Sequence, residues 1–119
     1  MKIAVTAKGT ELGSDVDPRF GRAAYIIFVD TETMALEAVD NADNASSFKG
    51  AGIQAATMVH DKKAEVLMTG YCGPKAFQTL QAAGIKVVSD VSGTVEEAVN
   101  MFKKGVAEYL DSANAEAHW

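Results

Sequence analysis

The chain alternates short apolar runs with polar, glycine-bearing segments, a pattern typical of strands and helices joined by surface loops. Residues 2–7 predict a first strand. The apolar run Tyr25–Asp30 predicts a strand in the middle of a sheet, since strands buried on both faces are apolar along their length. The short polar turn at residues 31–33 predicts a hairpin, with residues 34–39 as its returning strand.

A helical pattern follows over residues 50–60. Either Ser46 or Ser47 is a suitable N-cap for this helix, because a serine hydroxyl can accept a hydrogen bond from a first-turn N–H group. The spacing of apolar positions predicts an inward face made of Ile53, Ala56, Val59 and His60.

The rest of the chain alternates strands and helices. Strands are predicted at residues 64–68 and 85–88, separated by a helix from Pro74 to Ala83. Thr94 and Glu97 have the spacing of a capping box, which predicts the start of a last helix. An apolar stripe extends this helix past Gly105.

This order of elements predicts an α/β fold with a mixed five-stranded sheet and three helices. The alternating second half requires parallel strands with right-handed crossovers, and the hairpin adds an antiparallel strand. We expect residues 1–110 to form a single domain and residues 111–119 to form a flexible C-terminal tail.

Composition and net charge argue against several classes of function. The formal net charge of −5 argues against binding to nucleic acid, which depends on basic surfaces. The apolar runs are too short to span a membrane, and the N-terminus lacks the apolar core of a signal peptide. The single cysteine excludes an internal disulfide and agrees with a reducing cytoplasm, where we expect this protein to reside.

Three polar loops are predicted to meet at one edge of the sheet. In sheets of this kind, ligands bind beyond the carboxyl ends of the parallel strands. Residues 8–22, 41–50 and 70–75 all fall at this edge. A ligand site is therefore expected where they converge.

The first loop carries two arginines, Arg19 and Arg22, on either side of Phe20. Arginine is weakly hydrated and offers several donors, so this arrangement suits an anion with soft or apolar character. The alternative is that Asp15 and Asp17 pair with the arginines and only hold the loop in shape.

The second loop leads into a helix through Ser46–Gly52, a glycine-rich segment that suits an anion at a helix N-terminus. The spacing of a nucleotide-binding P-loop is absent, so nucleotide hydrolysis is not expected. A plain serine cap, with glycine for close packing, explains the same residues equally well.

The third loop holds Cys72 between a strand and a helix that begins at Pro74, with Lys75 beside it. A thiol near a helix N-terminus can have a lowered pKa and become a better ligand for soft metals. The alternative is a small buried apolar residue, which is the common fate of a lone cysteine. His60 is interpreted as a packed or C-capping residue.

Taken together, these segments resemble the nitrogenase iron–molybdenum cofactor biosynthesis family, which includes NifX and the C-terminal part of NifB. The resemblance covers residues 2 to about 104 and rests on five segments: Asp15–Arg22 followed by Tyr25–Asp30, then Gly50–Ala56, and Gly73–Phe77 leading to Ala83–Val87. It implies a ribonuclease-H-like three-layer domain.

The resemblance also implies a function. Members of this family bind or carry preformed metal–sulfur clusters and are not enzymes, and the members most similar to this chain hold a molybdenum–copper sulfide cluster without covalent attachment. An iron–molybdenum cofactor precursor is the alternative cargo. The binding residues that the resemblance implies lie on the three loops and include three glycines: Arg19, Phe20, Arg22, Phe48, Lys49, Gly50, Gly52, Cys72, Gly73 and Lys75. Cys72 is also a candidate metal ligand.

Two other functions stay open. The resemblance links the chain to complexes that contain MinD-like ATPases, so a cofactor-free module that docks such a partner is the main alternative. The second alternative is a protein that carries redox equivalents or persulfide sulfur on Cys72. No catalytic constellation is found in the sequence, and we expect a monomer that is not an enzyme.

Overall fold

The computed structural model describes residues 1–46 and 50–111. Three residues with a predicted role lie outside the described residues: Ser47, Phe48 and Lys49. Residues 112–119 of the predicted tail also lie outside them.

The predicted mixed five-stranded sheet is confirmed. Its strands are β1 (Lys2–Ala7), β2 (Tyr25–Asp30), β3 (Leu36–Asp40), β4 (Val66–Met68) and β5 (Lys86–Val88). Their order in the sheet is β3-β2-β1-β4-β5. The central strand, β1, is antiparallel to β2 and parallel to β4, which is parallel to β5. The hairpin of β2 and β3 is confirmed, but its turn extends through Met34, whose φ is 61°.

The described residues contain four helices, where the sequence predicted three. The additional helix is a single turn without apolar periodicity, so the pattern could not reveal it. The Asp40 carboxylate begins this turn by accepting a hydrogen bond from the Ala42 N–H (2.7 Å). The helices are α1 (Ala42–Ala45), α2 (Ala51–Asp61), α3 (Pro74–Ala82) and α4 (Val95–Lys103).

The start of α2 differs from the prediction. Its N-cap is Gly50, with a φ of 77°, and no side chain among the described residues caps the helix, so Ser46 does not have the predicted role. Two predicted inward residues, Ala56 and Val59, are buried, together with Ala51 and Ala55.

The other two predicted inward residues of α2 point outward. Ile53 is 38% exposed, and His60 lies on the surface. The cause is close packing of α2 against α3, where a Cβ built on Gly52 would lie 2.9 Å from the Cβ of Ala76. Only small side chains fit in such a contact, and they give a weaker sequence signal than isoleucine.

The last helix begins as predicted, because Thr94 and Glu97 form the complete capping box. Its predicted extension past Gly105 is wrong. The helix ends at Lys103, and Gly105, with a φ of 75°, turns the chain. The chain then runs beside β5, where the Leu110 N–H donates to the Val87 carbonyl (2.8 Å).

The core has two parts, one on each face of the sheet, which gives three layers. The first part lies against α2 and α3 and includes Phe28, Leu67 and Leu80. The second lies against α4 and includes Ile27 and Val99. Within residues 1–46 and 50–111, every helix is too short or too polar to cross a bilayer.

Candidate functional site

The first and third loops are joined by backbone hydrogen bonds at the carboxyl end of β4. The Tyr71 N–H donates to the Pro18 carbonyl (2.7 Å), and the Phe20 N–H donates to the Tyr71 carbonyl (3.2 Å). A Cβ built on Gly70 would lie 2.7 Å from the backbone of Pro18, so the approach of the two loops requires glycine at this position.

The first and second loops are joined through side chains. The buried Asn41 amide donates to the carbonyls of Ala23 (2.9 Å) and Gly21 (3.3 Å). The Arg22 guanidinium donates to the Ala45 carbonyl (2.8 Å). The predicted convergence of the three loops is therefore confirmed for the part of the chain that the structure describes.

Two helices begin at this convergence. The N-caps of α2 and α3 are Gly50 and Gly73, and no side chain of residues 1–46 or 50–111 caps either helix. Gly52 of α2 touches Ala76 of α3, which brings the two N-termini close together. First-turn N–H groups and the helix dipole favour an anion at such a place.

Cationic side chains border the same surface. Arg19 has a side chain that is 52% exposed, and Lys75 is exposed in the first turn of α3. Tyr71, 41% exposed, adds an aromatic surface beside Arg19, with which it forms an isolated parallel bridge. Cationic and apolar groups thus lie together, as a soft anion requires.

Phe20 does not border this surface. Its side chain is 1% exposed and belongs to the core that α2 and α3 cover. The sequence interpretation treated it as an apolar wall of the site because it lies between two arginines. In the structure it anchors the loop, and the arginines on either side stay near the surface.

Cys72 also lies in this core, fully buried. Burial raises the pKa of its thiol to about 12, because the charged thiolate would lose its hydration. The predicted lowering of this pKa is therefore wrong: desolvation outweighs the helix N-terminus. A thiol in this state is a poor nucleophile, which argues against a persulfide carrier.

The described residues offer no group of three or more His, Cys, Asp or Glu side chains that could hold a metal ion. The chemistry available at the convergence is cationic and amide-donating. It suits a cargo that already carries its own ligands and a negative charge.

Several residues of this region were missed by sequence reasoning. Asn41, Thr6 and Thr69 are buried polar side chains that join the loops to the strands. Their polar character gave no sign of burial. Asp17 was weighed only as an ion-pair partner, although Asp followed by Pro18 is a turn signal that could have shown its structural role.

A comparison with known families shows the family of this chain. The model of the family described as dinitrogenase iron–molybdenum cofactor matches residues 1–105, and the chain belongs to this family. The resemblance seen in the sequence motifs is thereby confirmed.

Two solved structures and one protein sequence are individual relatives of this chain. The apo form of the orange protein from Desulfovibrio gigas is 51% identical, with a TM-score of 0.94 over 96% of both chains. A protein from Thermotoga, provisionally described as a NifB protein, is 36% identical, with a TM-score of 0.82 over 96% of this chain and 97% of that one. An uncharacterized protein of Methanocaldococcus jannaschii is 24% identical over 93% of this chain and 92% of that one.

Proposed function

We propose that this protein binds and carries a preformed anionic metal–sulfur cluster on the surface where residues 8–22, 41–50 and 70–75 converge. The observation that carries the proposal is the convergence itself. Two helix N-termini, which no described side chain caps, and the side chains of Arg19 and Lys75 lie together in a chain whose formal net charge is −5. Family membership supports a metal-cofactor cargo.

The cargo that we propose is a molybdenum–copper sulfide cluster, with an iron–molybdenum cofactor precursor as the alternative. Likeness to the orange protein supports the first, and the family description supports the second. A sulfide-bridged cluster supplies its own soft ligands, so it needs cationic and N–H donors more than thiolates. We propose Arg19, Arg22, Lys49 and Lys75 as the cationic contacts.

Carriage without catalysis is part of the proposal. The cargo is held by hydrogen bonds and charge, so it can be released intact when the surroundings change.

The strand order, with β1 between an antiparallel and a parallel neighbour, supports the ribonuclease-H-like assignment of the fold. Docking to a MinD-like ATPase stays a prediction of the resemblance.

Reconstitution tests the proposal. The metal-free protein is mixed with tetrathiomolybdate and Cu(I), passed through a gel-filtration column and measured for visible absorption and metal content. We expect coloured protein that contains both metals. Tetrathiomolybdate alone and molybdate with Cu(I) are the controls, and the same analysis with an iron–molybdenum–sulfur mixture tests the alternative cargo. Colour that elutes only with small molecules in every mixture contradicts the proposal.

A further inference from the structure

Asp17 is a buried carboxylate directed toward Arg19. Its side chain is 4% exposed, and its Oδ1 accepts a hydrogen bond from the Arg19 backbone N–H (3.1 Å). The same oxygen lies 3.5 Å from Nε of the Arg19 guanidinium. Burial of a carboxylate is costly unless charge and hydrogen bonds compensate it, and Arg19 provides both.

The backbone of Asp17 is fixed to the sheet. Its N–H donates to the Thr6 carbonyl (2.9 Å), and its own carbonyl accepts from the Thr6 hydroxyl (2.6 Å). The Thr6 hydroxyl is also in hydrogen-bond contact with that of Thr69 (2.8 Å). The carboxylate is therefore held rigidly at the ends of β1 and β4.

The contact at Nε determines how the guanidinium is presented. The carboxylate contacts Nε, and the two terminal nitrogens of Arg19 make no hydrogen bond or ion pair with the residues that the structure describes. The side chain is half-exposed on the loop surface. An arginine held in this way keeps its two terminal nitrogens, with four N–H groups, for another anion and has already lost part of its rotamer freedom.

We propose that Asp17 is a positioning residue that orients Arg19 toward the anionic cluster. This inference rests on the proposed function, because it assigns to Arg19 a contact with the cargo. The proposed role goes beyond pairing within the loop. The rigidly held Asp17 carboxylate keeps the Arg19 guanidinium in place before the cluster binds, so half of the binding contact is already formed. Preorganisation of this kind increases affinity by reducing the ordering that binding requires.

The test compares Asp17→Asn with Asp15→Asn. Asparagine keeps an oxygen that can accept from the Arg19 N–H, so the turn is preserved while the charge is lost. Asp15, in the same loop but exposed, is the matched control. Each variant is titrated with tetrathiomolybdate and Cu(I), and its thermal unfolding is measured. We expect Asp17→Asn to raise the Kd about tenfold, the scale of one charge-assisted hydrogen bond, and Asp15→Asn to leave it near that of the wild type.

A second pair of variants separates positioning from stability. If Asp17 acts through Arg19, Arg19→Gln weakens binding by itself, and adding Asp17→Asn to it changes the Kd no further. A loss that persists in the Arg19→Gln background overturns the inference, as does an unchanged or lower Kd in Asp17→Asn. If Asp17→Asn does not fold, wild-type affinity in Arg19→Gln overturns it instead.

The outcomes also separate the inference from the proposed function. If the wild-type protein retains no cluster, the proposed function fails, and the inference fails with it. If the wild type retains the cluster and Asp17→Asn behaves as Asp15→Asn does, only the inference fails.

Discussion

Gly21 and Gly52 are in direct backbone contact: a Cβ built on Gly21 would lie 2.8 Å from the Cα of Gly52. Gly21 also has a φ of 93°, which L-residues with side chains rarely adopt. This contact places the first loop against the start of α2, and it leaves no room for a side chain.

We therefore expect Gly21→Ala to destabilise the fold by about 1–3 kcal/mol, through both the positive φ and the clash. Gly13→Ala in the same loop is the matched control, because a Cβ there would have nothing within 4 Å. Its effect should stay within about 0.5 kcal/mol. Denaturant unfolding of the two variants measures the difference, and equal stabilities would show that the contact between loop and helix is not needed.

Thr94 caps α4 with a complete capping box. Its side chain accepts from the Glu97 N–H (3.1 Å), while the Glu97 carboxylate accepts from the Thr94 N–H (3.0 Å). Thr94→Ala removes one of these bonds and should cost about 1 kcal/mol in the free energy of unfolding. Ser92→Ala, at an exposed position just before the cap, serves as the control and should leave stability nearly unchanged.

Cys72 should react slowly in the folded protein. Because burial raises its pKa from 9.0 to about 12, roughly a thousandfold fewer thiolates exist near neutral pH than for an ordinary thiol. Alkylation by iodoacetamide should be correspondingly slow and should become fast in denaturant. Rapid labelling of the native protein, at the rate seen after unfolding, would show that the thiol is accessible.

The same shift predicts a pH dependence of stability. The folded state favours the neutral thiol, so the contribution of Cys72 is fully present below pH 9 and decreases as the pH rises toward 12. Cys72→Ala lacks this titration. We expect the difference in unfolding free energy between wild type and Cys72→Ala to become smaller from pH 8 to the alkaline limit of the fold. A constant difference would contradict the raised pKa.

Lys75 should contribute to cluster retention by charge alone. It is exposed in the first turn of α3, so Lys75→Gln should weaken retention a few-fold and leave the melting temperature nearly unchanged. Lys86→Gln, which removes an exposed lysine from β5, is the control for net charge. Added salt should weaken retention by the wild type more than by Lys75→Gln. Equal retention by both variants would exclude Lys75 from the site.

Arg22 and Lys49 belong to the same prediction. Arg22→Ala should weaken retention, and it should also destabilise the fold somewhat, because the guanidinium holds the Ala45 carbonyl. Lys49→Ala should also weaken retention. Cluster titration and thermal unfolding on the two variants separate the effect on retention from the effect on stability. Wild-type retention in both would exclude Arg22 and Lys49 from the site.

The order of strands and helices could be predicted from the sequence because its signals were strong and local. Apolar runs marked β1 and β2, and the Thr94 and Glu97 spacing marked the start of α4. The end of α4 was predicted wrongly. The residues after Gly105 keep an apolar pattern, but they contact β5 and do not continue the helix.

The site was only partly predictable, for a physical reason. Sequence showed which residues fall on the convergent loops, but burial depends on packing between distant segments. Phe20 and Cys72 therefore lie in the core, although their neighbours in sequence lie at the surface. The role of Asp17 depends on the ends of β1 and β4, which no local pattern reveals.

Metal analysis with a visible spectrum, on protein isolated from its native cells, is the most direct test of whether this protein carries a metal–sulfur cluster. We expect molybdenum and copper in a fixed ratio, with charge-transfer bands that stay with the protein through gel filtration. Colourless, metal-free protein from cells supplied with both metals would contradict it.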